Sequence, residues 1–151
     1  PILRLKAKRV TRIDVNIRKL VDDMIESMRT YNGVGIAAPQ IGFSLRVIVI
    51  EIPEEPVLTL INPEIVKKIG ERTVEEGCLS VPGYRGTIIR AENVVAKGLN
   101  LQGKEVRIKA HDLLAQALEH EVGHIQGSLY TDLLESMDNL YKLEPEREKE
   151  G

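Results

Sequence analysis

Apolar residues recur at steps of three and four after Asp14, at Ile17, Leu20, Val21, Met24, Ile25 and Met28. That spacing predicts an amphipathic helix with one buried stripe, capped by Asp14 and stopped at Asn32-Gly33. The next stretch, GVGIAAPQ at 33–40, is too small and glycine-rich for a helix and reads as extended backbone or a tight loop. LRVIVIEI at 45–52 is apolar almost throughout, which predicts an interior strand. Pro53 and Pro56 bracket a turn, and 57–69 holds one or two further strands interrupted at Asn62-Pro63. EEGCLS at 75–80 reads as a polar turn flanked by apolar residues. Shorter β-type runs follow at 87–90, 93–99 and 105–109, with Asn100 and Gly103 marking a hairpin-like turn between the last two. A second long helix begins near His111 or Asp112, with Asp112 the better cap. It runs through Leu113, Leu114, Ala117, Leu118, Val122 and Ile125 to a stop at Gly127. Residues 132–143 predict a short amphipathic helix, and the charged tail 144–151 is expected to fray.

This order predicts an α+β fold: an N-terminal helix, small antiparallel or mixed sheets, and a second helix in the C-terminal half. A chain of 151 residues fits one domain, 1–151, with a core of its own. The hydrophobic fraction of 42% and charged fraction of 29% are those of a globular protein, so disorder is excluded as the general state. A net charge of -2 without a basic run gives no general attraction to nucleic acid or to an anionic membrane. One Phe, four Tyr and no Trp leave few platforms for stacking bases. No apolar run is long enough to span a bilayer, and no signal-peptide pattern opens the chain. A single Cys excludes an intrachain disulfide and fits a reducing compartment. The expected location is cytoplasmic, with an organelle reached through a removed transit peptide as the alternative.

The second helix carries the chemistry. His120-Glu121-Val122-Gly123-His124 is an HExxH motif. Residues four apart share a helix face, so both imidazoles reach one divalent metal ion. Glu121, rotated by about 100°, reaches a water at that ion without being a ligand. Leu113 and Ala117 continue the face of His120 and His124, and two neutral imidazoles on an apolar face need a partner. A catalytic site of this kind uses three protein ligands and an open position. The longer pattern HExxHxxGxxH fits as far as Gly127, but its last position is Tyr130. His111 lies about 13.5 Å back along the helix axis, too far to share the ion. Cys78 is the better third ligand. A thiolate with two imidazoles suits Fe²⁺, Zn²⁺, Ni²⁺ or Co²⁺ rather than Mg²⁺ or Ca²⁺.

Three motifs, GVGIAAPQ at 33–40, EEGCLS at 75–80 and HEVGH at 120–124, stand in the order and spacing of peptide deformylases, and the chain resembles that family over nearly its whole length. The resemblance implies a metal-dependent hydrolase that removes the formyl group from N-formylmethionyl peptides of nascent proteins and releases formate. It implies metal ligation by Cys78, His120 and His124, most commonly of Fe²⁺, with Glu121 moving the proton. Gln40 and the backbone N–H of Leu79 would then stabilise the oxyanion. Gly33, Gly35 and Gly77 would let a peptide backbone approach, and Val34, Val74, Leu113, Gln116, Ala117 and His120 would wall the methionine pocket.

The sequence departs from the family pattern at Gly123, where the family usually has Asp, at Glu119 for Gln, at Gln116 for an apolar residue and at Ile36 for Leu. Gly123 is expected to loosen the surroundings of the metal, leaving Arg90 without a partner or borrowing Glu76. Two other functions use the same residues. A metal-dependent peptidase is disfavoured by the missing third His. A non-catalytic deformylase-like protein that binds nascent chains is disfavoured by the intact Glu121 and Gln40. A transient ribosome contact through 132–151 would draw no electrostatic help from the acidic tail.

Overall fold

The computed structural model describes residues 6–78, 81–126 and 140–142, and for 76–78, 81–86 and 140–142 the backbone alone. Helix α1 (Val15–Thr30) buries Ile17, Leu20, Val21, Met24 and Met28, the stripe set by its periodicity. The Asp14 carboxylate accepts from the N–H groups of Asn16 and Ile17, so the cap is where the sequence puts it. At the other end Asn32 takes the left-handed conformation (φ 56°), and Gly33 N–H closes on the Met28 carbonyl at 2.9 Å.

Strand β1 (Gly35–Ala37) is followed by one 3₁₀ turn (Ala38–Ile41), then by β2 (Val47–Ile50) and β3 (Leu58–Ile69). The segment 33–40 is thus extended first and tightly turned second. All four residues of β2 are buried. Val47 and Val49 pack into a core cluster with α1, whereas Ile48 and Ile50 pack into one with the second helix. A strand covered on both faces loses polar alternation, which is why its run is apolar throughout.

The expected interruption at Asn62-Pro63 is a register shift inside one strand. Asn62 takes φ 54° there, and its amide accepts from Val10 N–H and donates to Val10 C=O at 2.8 and 2.9 Å. Asn62→Ala is expected to lower stability by about 2–4 kcal/mol, read as a fall in Tm. It strands two buried backbone groups and puts a Cβ-bearing residue without a compensating side chain at positive φ.

A strand runs into the segment read as a turn at 75–80, and the β-type run at 87–90 is the end of a longer strand. β4 (Arg72–Cys78) and β5 (Val81–Arg90) form an antiparallel ladder from Arg72↔Arg90 to Gly77↔Arg85, with a register shift just before Cys78. The polar residues of β4 are tolerated because its order comes from that ladder. β6 (Asn93–Leu99) and β7 (Glu105–His111) are joined by the expected hairpin, with Gly103 at φ 80°. β7 runs on to His111 because the ladder continues to Asn93↔His111. His111 is therefore extended and takes the cap position of helix α2 (Asp112–Ile125), and Asp112 becomes its first residue rather than its cap.

Residues 140–142, expected within a helix, form β8 (Leu140–Lys142), which pairs with Tyr84–Gly86 of β5. The ladder offered by β5 outweighs the weak helical periodicity of so short a segment. The rest of that expected helix and the tail 144–151 lie outside the described residues. The strands form a five-stranded sheet in the order β1-β2-β3-β6-β7 and a three-stranded sheet β4-β5-β8. Helices α1 and α2 and the antiparallel sheets of the described residues give the α+β class. No helix among the described residues is long and apolar enough to cross a membrane.

Candidate active site

Helix α2 packs on β1 and on the 3₁₀ turn that follows it, which brings the glycine-rich segment against the HExxH turn. His120 and His124 stand one turn apart with ring centroids 4.8 Å apart and planes at 74°. Their Nε2 atoms face each other at 3.1 Å. Two nitrogens held at about 2.0–2.1 Å on a tetrahedral ion lie about 3.3 Å apart, so the pair fits a shared metal. Among the described residues no three His, Cys, Asp or Glu side chains gather to hold an ion, and the side chain of Cys78 is not among those described.

Glu121 is buried and presses against Gly35 of β1. A Cβ at Gly35 would lie 2.9 Å from Glu121 Oε2 and 3.1 Å from its Cγ. The glycine therefore makes room for the carboxylate, a role its sequence context alone does not reveal. Gln40 sits in the 3₁₀ turn, where its Oε1 accepts from Ala37 N–H at 2.8 Å. That bond orients the amide and presents Nε2 as its donor.

The segment before β1 is anchored from the far side. Val34 C=O accepts from Glu51 N–H at 2.8 Å, and the Glu51 carboxylate takes two hydrogen bonds from the Arg29 guanidinium. That side-chain pairing holds Glu51 below the usual carboxylate range and raises Arg29.

The expected pocket residues divide. Ala117 is buried, Val74 and Val34 are half-buried, and Leu113 is 38% exposed on α2. Gln116 donates to the Glu75 carbonyl of β4 at 3.3 Å, and Arg72 donates to the Asp112 carbonyl, so β4 is tied along α2. Gly77 and Cys78 close that strand. Leu79 lies outside the described residues, as does the side chain of Glu76. Arg90 does not lack a carboxylate: its Nη1 lies 3.9 Å from Glu119 Oε1. Glu119, noted in the sequence only as a departure from the family pattern, is the carboxylate that faces Arg90. A charge set among Ala115, Leu118 and Val122 on a buried helix face was the further signal that it has partners.

A family model described as polypeptide deformylase matches residues 1–140. The chain belongs to the peptide deformylase family. The peptide deformylase of Dehalococcoides mccartyi (strain CBDB1) is 55% identical over 149 residues, covering 98% of this chain and 89% of that one. The solved peptide deformylase from Legionella pneumophila superposes with a TM-score of 0.87 at 44% identity, over 91% of this chain and 83% of that one. The one from Synechococcus elongatus, in complex with actinonin, gives 0.88 at 39% identity, over 91% and 76%. Peptide deformylases are metal-dependent hydrolases that remove the formyl group from formylmethionyl nascent peptides, and this deformylase is such an enzyme. The peptidase and non-catalytic readings give way to it.

Proposed function

We propose that His120, His124 and Cys78 hold one divalent metal ion in this deformylase, that Glu121 is its general base and acid, and that Gln40 and the Leu79 N–H receive the oxyanion. The observation that carries the reading is the 3.1 Å approach of two imidazole nitrogens on the turn that also buries Glu121. The donor set, two imidazoles and a thiolate, favours a borderline ion, and Fe²⁺ is the one we assign. When bound, the ion supplies Lewis acidity that lowers the pKa of a water and polarises the formyl oxygen.

Glu121 takes a proton from the attacking water as its oxygen bonds to the formyl carbon. It returns that proton to the peptide nitrogen as the C–N bond breaks, leaving formate and a free amino terminus. Gln40 Nε2–H and the Leu79 N–H donate to the oxygen as it gains charge, a contribution of roughly 2.7–4 kcal/mol for one such donor. Gly33, Val34, Gly35 and Gly77 leave the peptide backbone room to lie beside β1 and β4. Val74, Leu113 and Ala117 form the apolar side of the methionine pocket, with Gln116 at its border. A cytoplasmic location and a transient ribosome contact follow from a substrate that is a nascent chain.

The test is formate release from formyl-Met-Ala-Ser, with metal content measured anaerobically on the same sample. The wild type is expected to turn over with about one ion per chain. Glu121→Ala is expected to keep its metal and lose activity by two to four orders of magnitude. Turnover unchanged in Glu121→Ala would remove it from the mechanism.

A further inference from the structure

We propose that Glu119 is a positioning residue for the metal site, its buried carboxylate holding the Arg90 guanidinium where that group backs the imidazole of His120. The inference rests on reading His120 as a metal ligand.

Glu119 Oε2 accepts from Ala91 N–H at 2.6 Å, and Oε1 lies 3.3 Å from Lys68 Nζ and 3.9 Å from Arg90 Nη1. The side chains of Arg90 and Glu119 are 4% and 5% exposed. A carboxylate is buried at a cost that only hydrogen bonds and a counter-charge offset, and this one has both. From the same guanidinium, Nη2 lies 3.4 Å from His120 Nδ1. A chain of contacts therefore runs from Glu119 through Arg90 to the ring whose other nitrogen faces His124.

Ring chemistry makes the carboxylate matter. An imidazole that binds an ion through Nε2 carries its hydrogen on Nδ1. That N–H then faces a guanidinium, which is cationic and can only donate. The Glu119 carboxylate offsets the cation's field at the ring and fixes the guanidinium in place, so Nε2 stays turned toward His124. Gly123, one turn further along α2, brings no side chain to this task. A Cβ there would meet nothing within 4 Å, and the position opens, with Glu119, Lys68 and Arg90, onto a cavity of about 520 Å³. Positions 119 and 123 share a helix face and that cavity, so a carboxylate at 123 would approach the same guanidinium.

Glu119→Gln keeps an acceptor for Ala91 N–H and removes only the charge. Metal loss from the holoenzyme to a chelator is expected to be about 10–100-fold faster in this variant, and the visible bands of its cobalt form are expected to shift. Adding Gly123→Asp is expected to return both to the wild-type values. Metal retention in Glu119→Gln within twofold of wild type overturns the proposal. A loss that Gly123→Asp leaves uncorrected also overturns it, since the charge at 119 would then act by a route other than the Arg90 guanidinium. If Glu119→Gln does not fold alone, the pair Glu119→Gln/Gly123→Asp and Glu119→Gln/Gly123→Asn carries the same contrast. The Asp form is expected to hold metal longer, and equal retention overturns the proposal. A wild-type protein that takes up no metal would overturn the ligand reading itself, before any variant is compared.

Discussion

Gly35→Ala is expected to lower kcat about 100-fold while metal content stays at the wild-type level. The added methyl would sit 2.9 Å from Glu121 Oε2, 3.1 Å from Cγ and 3.3 Å from Cδ, so three atoms of the side chain must give way together. Glu121 is 4% exposed and has little space into which to move. β1 cannot retreat easily either, because Gly35 is paired with Ile50 in the ladder to β2. A displacement of about 1 Å in a group that must meet a proton in line costs on the order of 10²-fold. Glu121 is not a proposed ligand, so the metal should stay. The split between kcat and KM decides between two roles for this glycine. If Gly35 only cleared a path for the substrate backbone, KM would rise and kcat would hold, and the contact with Glu121 would be incidental.

That contact also marks where a sequence stops being readable. The two long helices and β2 were legible because each carries its own periodicity: Ile17 to Met28 in α1, Leu113 to Ile125 in α2, and a run covered on both faces in β2. The HExxH pair was legible because its two imidazoles are four residues apart on one helix. β4 was not legible, since among residues 72–77 only Val74 is a large apolar residue and the strand owes its order to the ladder with β5. The shift of the α2 cap from Asp112 to His111 has the same origin, a ladder overriding a local preference. The pairing of Glu119 stayed hidden because its cations, Lys68 and Arg90, come from β3 and β5, far away in sequence. Local chemistry is written locally, whereas partners supplied by other strands are written only in the fold.

Cys78→Ala is expected to remove metal and turnover together, with activity falling on the order of a thousandfold, the several kcal/mol that a Lewis acid contributes. The expectation follows from how β4 is laid against α2. Arg72 donates to the Asp112 carbonyl, and three residues further along the strand the Glu75 carbonyl accepts from Gln116, four residues further along the helix. One more step of three and four would bring the backbone of residue 78 level with His120. The register shift between Gly77 and Cys78 falls at that step, and an irregularity of this kind re-aims a side chain relative to the regular ladder. No other histidine can replace the sulfur: His111 is exposed at the start of α2, with Nδ1 2.8 Å from the Asp112 carboxylate. Two imidazoles alone leave the ion short of the three protein donors a catalytic site uses, so the variant should lose metal to a chelator that the wild type resists. The β4–β5 ladder does not depend on the thiol, so the metal-free variant and the metal-free wild type should melt at the same temperature. Full metal occupancy in Cys78→Ala would take the residue out of the site and leave the third ligand to be sought elsewhere.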